Sequence, residues 1–170
     1  MSGFGFSEEQ EMFRQTVRRF AQRELALGAK ERLSQEQYSR EIIKKVAENG
    51  LVGLVVPPEY GGQGADFVTL GIAIEEMSKV DYTAGLYLAI PMLMVLALRR
   101  ESEEMRRKWL PPVAAADLLG CIAVTEPHCG SDAAAMKTKA VRDGDSYIII
   151  GEKTSISNAM WADFVMLPAK

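Results

Sequence analysis

The chain changes its period at Gly120. Ahead of it, apolar residues recur at helical spacing between recognisable start and stop signals. Behind it they alternate or run in short blocks cut by Gly, Asp and Pro. Such a chain is expected to segregate into an α+β fold. An all-α helical bundle would occupy 1–117, and the first strands of an antiparallel, barrel-like β-domain would occupy 118–170. With 48% apolar residues the sequence can fill a core, and a net charge of −3 argues against a nucleic-acid surface. The most apolar run, A-G-L-Y-L-A-I-P-M-L-M-V-L-A-L, is 15 residues long and interrupted by Pro91, so no membrane span is expected.

The helices can be read in order. Ser7 with Gln10 forms a capping-box pattern. The helix that follows buries Phe13, Val17, Phe20 and Ala21 and fades near Gly28. Arg14, Arg18, Arg19 and Arg23 fall mostly on its other side. Four glutamates dilute that charge, and the face reads as solvated. A second helix over 39–49 presents Ile42, Ile43 and Val46, with Gly50 as its stop. L-V-G-L-V-V and the turn-rich P-P-E-Y-G-G-Q-G lead into a third helix over 66–80, with Leu70, Ile74 and Met77 inward. Its neighbouring Glu75 and Glu76 point about 100° apart, so they share neither a proton nor a metal and receive no catalytic role. A fourth, central helix over 82–99 should kink at Pro91. A fifth, starting at Ser102, should stop at Pro111 and Pro112.

After Gly120 the run C-I-A-V reads as a buried strand that breaks at Pro127 into a polar turn. Gly130 offers that turn a backbone shape closed to other residues. Thr125, Ser131 and Asp132 surround it with hydroxyls and a carboxylate. Such a loop can hold a flat, polar ligand, or can simply be a capped strand-to-turn junction. Residues 139–142 and 146–150 flank D-G-D as a hairpin. K-T-S-I-S-N and D-F-V-M-L-P bring the count to about five strand segments. A sheet edge left open at Lys170 is not expected of a native end. Cys121 and Cys129 fit neither a disulfide framework nor a zinc site, so no metal and a reducing compartment are expected. The opening M-S-G-F-G-F lacks the basic and apolar regions of a leader.

T-E-P-H-C-G-S-D closely resembles the signature of the acyl-CoA dehydrogenases. Ala123, Val124, Thr125, Glu126, Gly130, Ser131, Asp132 and Ala135 match, while Cys129 and His128 depart from the usual fillers. Pro58, Glu59, Tyr60, Gly61 and Gly62 match a Pro-Glu-x-x-Gly-Gly loop, and Trp109-Leu110-Pro111 matches a Tyr-Leu-Pro helix end. The resemblance extends from about Phe6 to Lys170. It implies an FAD enzyme that forms a double bond beside an acyl-CoA thioester, with hydride transfer to flavin N5. It also implies an electron-transfer flavoprotein as acceptor, a homo-oligomer (tetramer or dimer), and a cytoplasmic or mitochondrial-matrix location. Members are roughly twice this length, so the C-terminal helical bundle and the catalytic base are expected outside this sequence, and no catalytic residue is assigned. Glu126 would support the loop.

By the same resemblance Ile122, Val124, Thr125, Gly130 and Ser131 would follow the flavin, with Thr125 bonding its pyrimidine edge. Ser131 would reach the phosphate side or the CoA chain. Ser155, Ile156 and Ser157 stand for the family's aromatic–Ile–Thr/Ser piece, with the Ser157 hydroxyl beside N5. Ser155 replaces the aromatic, so Trp161 or another group must fill that space, or the flavin is more open and an unusual acyl group is served. Tyr87 and Met92, with Met94, would line the acyl pocket. A non-catalytic module binding an acyl-CoA or a partner is the alternative.

Overall fold

The computed structural model describes residues 5–35 and 38–170, and these fall into two compact units divided between Asp117 and Leu118. Met1 to Phe4, part of the segment read for a leader, lie outside the described residues. Among the described residues no helix is long and apolar enough to cross a membrane.

The first unit is helical: α1 (Glu8–Glu24), α2 (Ala29–Leu33), α3 (Arg40–Glu48), α4 (Phe67–Ser78), α5 (Tyr82–Tyr87), α6 (Ala89–Leu98) and α7 (Glu103–Ala114). Side-chain caps set the starts. The Ser7 hydroxyl accepts from the Gln10 amide, and the Gln10 side chain accepts from the Ser7 amide, both at 3.1 Å. Ser39, Asp66, Asp81 and Ser102 cap α3, α4, α5 and α7 in the same way. Each cap is worth about 1 kcal/mol, enough to fix a boundary.

Several features depart from the sequence reading. The fourth helix is two helices, broken at Leu88 rather than kinked at Pro91. Pro91 has no N–H for the Tyr87 carbonyl and its ring crowds that carbonyl, so the break falls one turn upstream. In α7 both prolines lie inside the helix. Arg107 and Lys108, whose carbonyls lose their donors, are exposed and open to water, while Leu110, Val113 and Ala114 are buried and hold the last turn. The Ala115 amide then resumes the ladder on the Pro111 carbonyl at 3.1 Å. Ile74, expected inward, is only half-buried; Ala73 and Glu76 take the inner face of α4 with Leu70 and Met77.

Burying Glu76 changes the role of the α1 arginines. Its side chain is 1% exposed. Arg18 Nε donates to Oε2 at 2.8 Å and Nη2 to Oε1 at 3.0 Å. Lys79 Nζ donates to Oε1 at 3.0 Å. Arg14 Nε stands 3.3 Å from Oε1 as an ion pair, without hydrogen-bond alignment. The arginine face is therefore not simply solvated; Arg14 and Arg18 tie α1 to α4. A second buried carboxylate, Asp81, caps α5 and accepts from Arg32 Nε and the Tyr38 hydroxyl, each at 2.9 Å. Burial first, and the bond to Asp81 second, push the Tyr38 hydroxyl well above its ordinary pKa.

The apolar run 51–56 is buried yet forms neither helix nor strand. The glycine-rich loop after it meets its backbone needs: Gln63, Gly64 and Ala65 amides donate to the carbonyls of Gly53, Val56 and Leu54. A Cβ on Gly62 would lie 1.9 Å from the Val56 carbonyl oxygen, so only glycine lets the loop close.

The second unit contains β1 (Gly120–Ile122), β2 (Lys139–Asp143), β3 (Ser146–Ile150) and β4 (Phe164–Met166). β2 and β3 form the expected antiparallel hairpin, with Asp143 opposite Ser146 and Gly144 at φ +60° in the turn. β1 pairs with β4 in parallel, Gly120 opposite Phe164. Both sheets are two-stranded and open. The expected strand at K-T-S-I-S-N is absent, because Ser155 and Asn158 adopt φ of +54° and +67°, incompatible with an extended run.

Candidate functional site

β1 delivers its alternation into the segment beyond it. Cys121 and Ala123 point into the unit and are buried, leaving Ile122, Val124 and Thr125 half-buried. The chain then turns tightly: the Glu126 amide donates to the Cys129 carbonyl at 2.9 Å and the Cys129 amide returns to Glu126 at 3.1 Å. Pro127 occupies the turn position that suits its fixed φ. Gly130 does not use a glycine-only conformation; a Cβ there would meet only Thr125 Cγ2, at 3.9 Å. Gly130 and Ser131 are exposed, and a short 3-10 turn, Ala133–Ala135, follows.

Glu126 organises this turn. It is 3% exposed. The Lys137 amide donates to Oε2 at 2.7 Å, and the Thr138 amide to Oε1 at 3.0 Å. Lys153 Nζ donates to Oε1 at 2.9 Å. The nearby Thr138 side chain, then these amides and Lys153, hold the carboxyl far below the usual range, although the Thr138 hydroxyl itself falls short of hydrogen-bond geometry. A carboxylate so encumbered supports the loop rather than serving as a base. Gly151 lies against Thr138, where a Cβ would approach Oγ1 to 2.3 Å.

Lys153 also donates to the Val124 carbonyl at 3.1 Å, and the Thr154 amide to the Thr125 carbonyl at 3.0 Å. These bonds latch the segment 122–131 to the segment 153–157. The latch joins the lead-in to Ser155, Ile156 and Ser157 directly to Thr125, although the two are about thirty positions apart in the chain. Ser155 and Ser157 are exposed and Ile156 is half-buried. Tyr87 is buried in α5 and Met92 half-buried in α6, both within the helical unit. Trp161 is half-buried in the turn before β4.

Sequence reading missed Lys153 and Thr138. Their only signal is a lysine set among small residues ahead of S-I-S, and nothing local ties it to Glu126. It also missed that Glu126, His128 and Cys129 bring their ligand atoms within 4.8 Å of one another. Burial pushes the Cys121 thiol up and leaves Cys129 as the more accessible of the two.

Residues 7–117 match the family model "Acyl-CoA dehydrogenase, N-terminal domain", and residues 121–170 match "Acyl-CoA dehydrogenase, middle domain". The chain is 39% identical over 162 residues to a short-chain-specific acyl-CoA dehydrogenase of Clostridium acetobutylicum, covering 94% of this chain and 43% of that protein. Its structure resembles the acyl-CoA dehydrogenase of Geobacillus kaustophilus, with a TM-score of 0.87 and 34% identity over 99% of this chain and 45% of that one. It also resembles a glutaryl-CoA dehydrogenase of Mycobacterium smegmatis in complex with FADH2, with a TM-score of 0.89 and 30% identity over 97% of this chain and 43% of that one. The chain spans less than half the length of these proteins.

Proposed function

Because the chain belongs to the acyl-CoA dehydrogenase family, we propose that it forms the helical and early middle part of an FAD-dependent enzyme acting on an acyl-CoA thioester. The observation that carries this reading is the latch between Thr125 and Thr154. It brings two hydroxyl-bearing segments together on one unit. Thr125, Ser131 and Ser157 offer hydroxyls that both donate and accept, and this donor set fits a flat ring edge carrying carbonyls and N–H groups.

Bound FAD would supply a two-electron acceptor, taking a hydride from the β-carbon as a base removes the α-proton, so that acyl-CoA becomes enoyl-CoA. The residues of this chain hold and orient. Thr125 would bond the pyrimidine edge. Ser157 would offer its hydroxyl where charge develops on reduction, Ser131 would reach toward the phosphates or the CoA chain, and Ile122, Val124, Gly130 and Ile156 would form the backbone beside the ring. Ser155, small and exposed, would leave room on one face of the ring. Tyr87 and Met92 bound the acyl pocket. The base, the electron-transfer flavoprotein contact and the oligomer interface belong to the complete protein, in the cytoplasm or mitochondrial matrix.

In the complete protein, Thr125→Val should weaken FAD retention and Ser157→Ala should lower the flavin reduction potential, both with unchanged circular dichroism. Fluorescence titration of FAD and a redox titration read these effects. Wild-type FAD affinity and potential in both variants would overturn the assignment.

A further inference from the structure

The turn after β1 carries two metal-competent residues beside a buried carboxylate. His128 and Cys129 form with Glu126 a three-ligand cluster whose atoms lie within 4.8 Å of one another. We propose that Glu126, His128 and Cys129 form a site for a borderline-soft divalent cation such as Zn2+. The proposal stands independently of the flavin reading.

The two oxygens of Glu126 divide their work. Oε1 takes Lys153 and the Thr138 amide. Among the described residues Oε2 accepts from the Lys137 amide alone, and it faces His128 Nε2 at 3.5 Å. That separation is too long for a good hydrogen bond. It suits two ligands on one ion: with zinc–nitrogen and zinc–oxygen bonds of about 2.1 Å, tetrahedral neighbours sit roughly 3.4 Å apart. Cys129 Sγ lies within 4.8 Å of the other two ligand atoms, at most about 1.2 Å beyond the roughly 3.6 Å spacing of a zinc-bound thiolate and imidazole.

The turn itself is preformed by the paired Glu126–Cys129 backbone bonds. His128 Nε2 would give up a weak contact of 3.3 Å to the Ala135 carbonyl. Lys153 sits on the opposite oxygen, and its charge together with that of Glu126 leaves the site nearly neutral before the metal arrives. Binding releases the Cys129 thiol proton to solvent, and water fills the fourth position. His128 is exposed and Cys129 half-buried, so the ion enters directly from solvent.

The test is calorimetric titration of the complete, chelator-treated protein with ZnCl2. One saturable site per chain is expected, weakened at least about tenfold by Cys129→Ser and by His128→Ala, each a substitution outside the buried core. Thermal melts of both variants check that the turn survives; Cys129→Ala and His128→Gln replace any variant that melts early. No saturable binding, or binding that folded variants weaken by less than tenfold, overturns the proposal.

Discussion

Replacing Glu76 by Gln keeps the shape of the side chain and removes the charge that joins α1 to α4. In the native chain the Arg18 hydrogen bond, with help from Lys79 and against the opposing effect of burial, moves the Glu76 carboxyl from its ordinary 4.5 down to about 2. A carboxyl so depressed adds stability that is fully present above pH 4.5 and is lost as the pH falls through about 2. The full displacement corresponds to about 3 kcal/mol. The cationic partners Arg14, Arg18 and Lys79 are 30%, 40% and 50% exposed, so solvent screening brings this to about 2 kcal/mol. Urea unfolding followed by far-ultraviolet circular dichroism reads it directly. At neutral pH, Glu76→Gln should lower the midpoint by about 1 M, and near pH 2 the two curves should converge. Equal midpoints at neutral pH, or a difference that persists undiminished at pH 2, would refute the reasoning.

Two further outcomes follow from close contacts. Gly62→Ala forces a Cβ to 1.9 Å from a backbone oxygen that cannot retreat, so the helical unit should lose about 3 kcal/mol or more in the same urea experiment. Lys153→Met leaves Glu126 with the neighbouring Thr138 side chain, the Lys137 and Thr138 amides and the more distant His128, which raises its carboxyl pKa. Since a protonated Glu126 no longer holds the turn proposed to bind FAD, the complete variant protein loaded with FAD should release it on acidification at a higher pH than the parent, measured as visible absorbance retained after gel filtration.

Local chemistry made the helix starts legible. Ser7, Ser39, Asp66 and Ser102 announce themselves because a cap acts within three residues. The same holds for the Asp143–Ser146 hairpin, whose turn lies within the segment that was read. What escaped was decided at a distance. Pro111 and Pro112 look like a stop until the burial of Leu110 and Val113 is known. The α1 arginines look solvated until Glu76, 58 positions beyond Arg18, is seen beneath them. Lys153 finds Glu126 across 27 positions, and no periodicity records that pairing. The motif and the loop-supporting role of Glu126 were legible as a resemblance; the partners that hold Glu126, the Lys137 and Thr138 amides and Lys153, were not.

The central claim is that this chain forms part of a flavin enzyme that oxidises acyl-CoA thioesters. Anaerobic addition of butyryl-CoA, and of branched and dicarboxylic acyl-CoAs, to the complete purified protein tests it most directly. The account predicts a yellow protein whose visible flavin band bleaches with at least one of these thioesters as the matching enoyl-CoA forms. A protein that cannot be loaded with FAD, or one whose flavin stays oxidised with all of them, would contradict it.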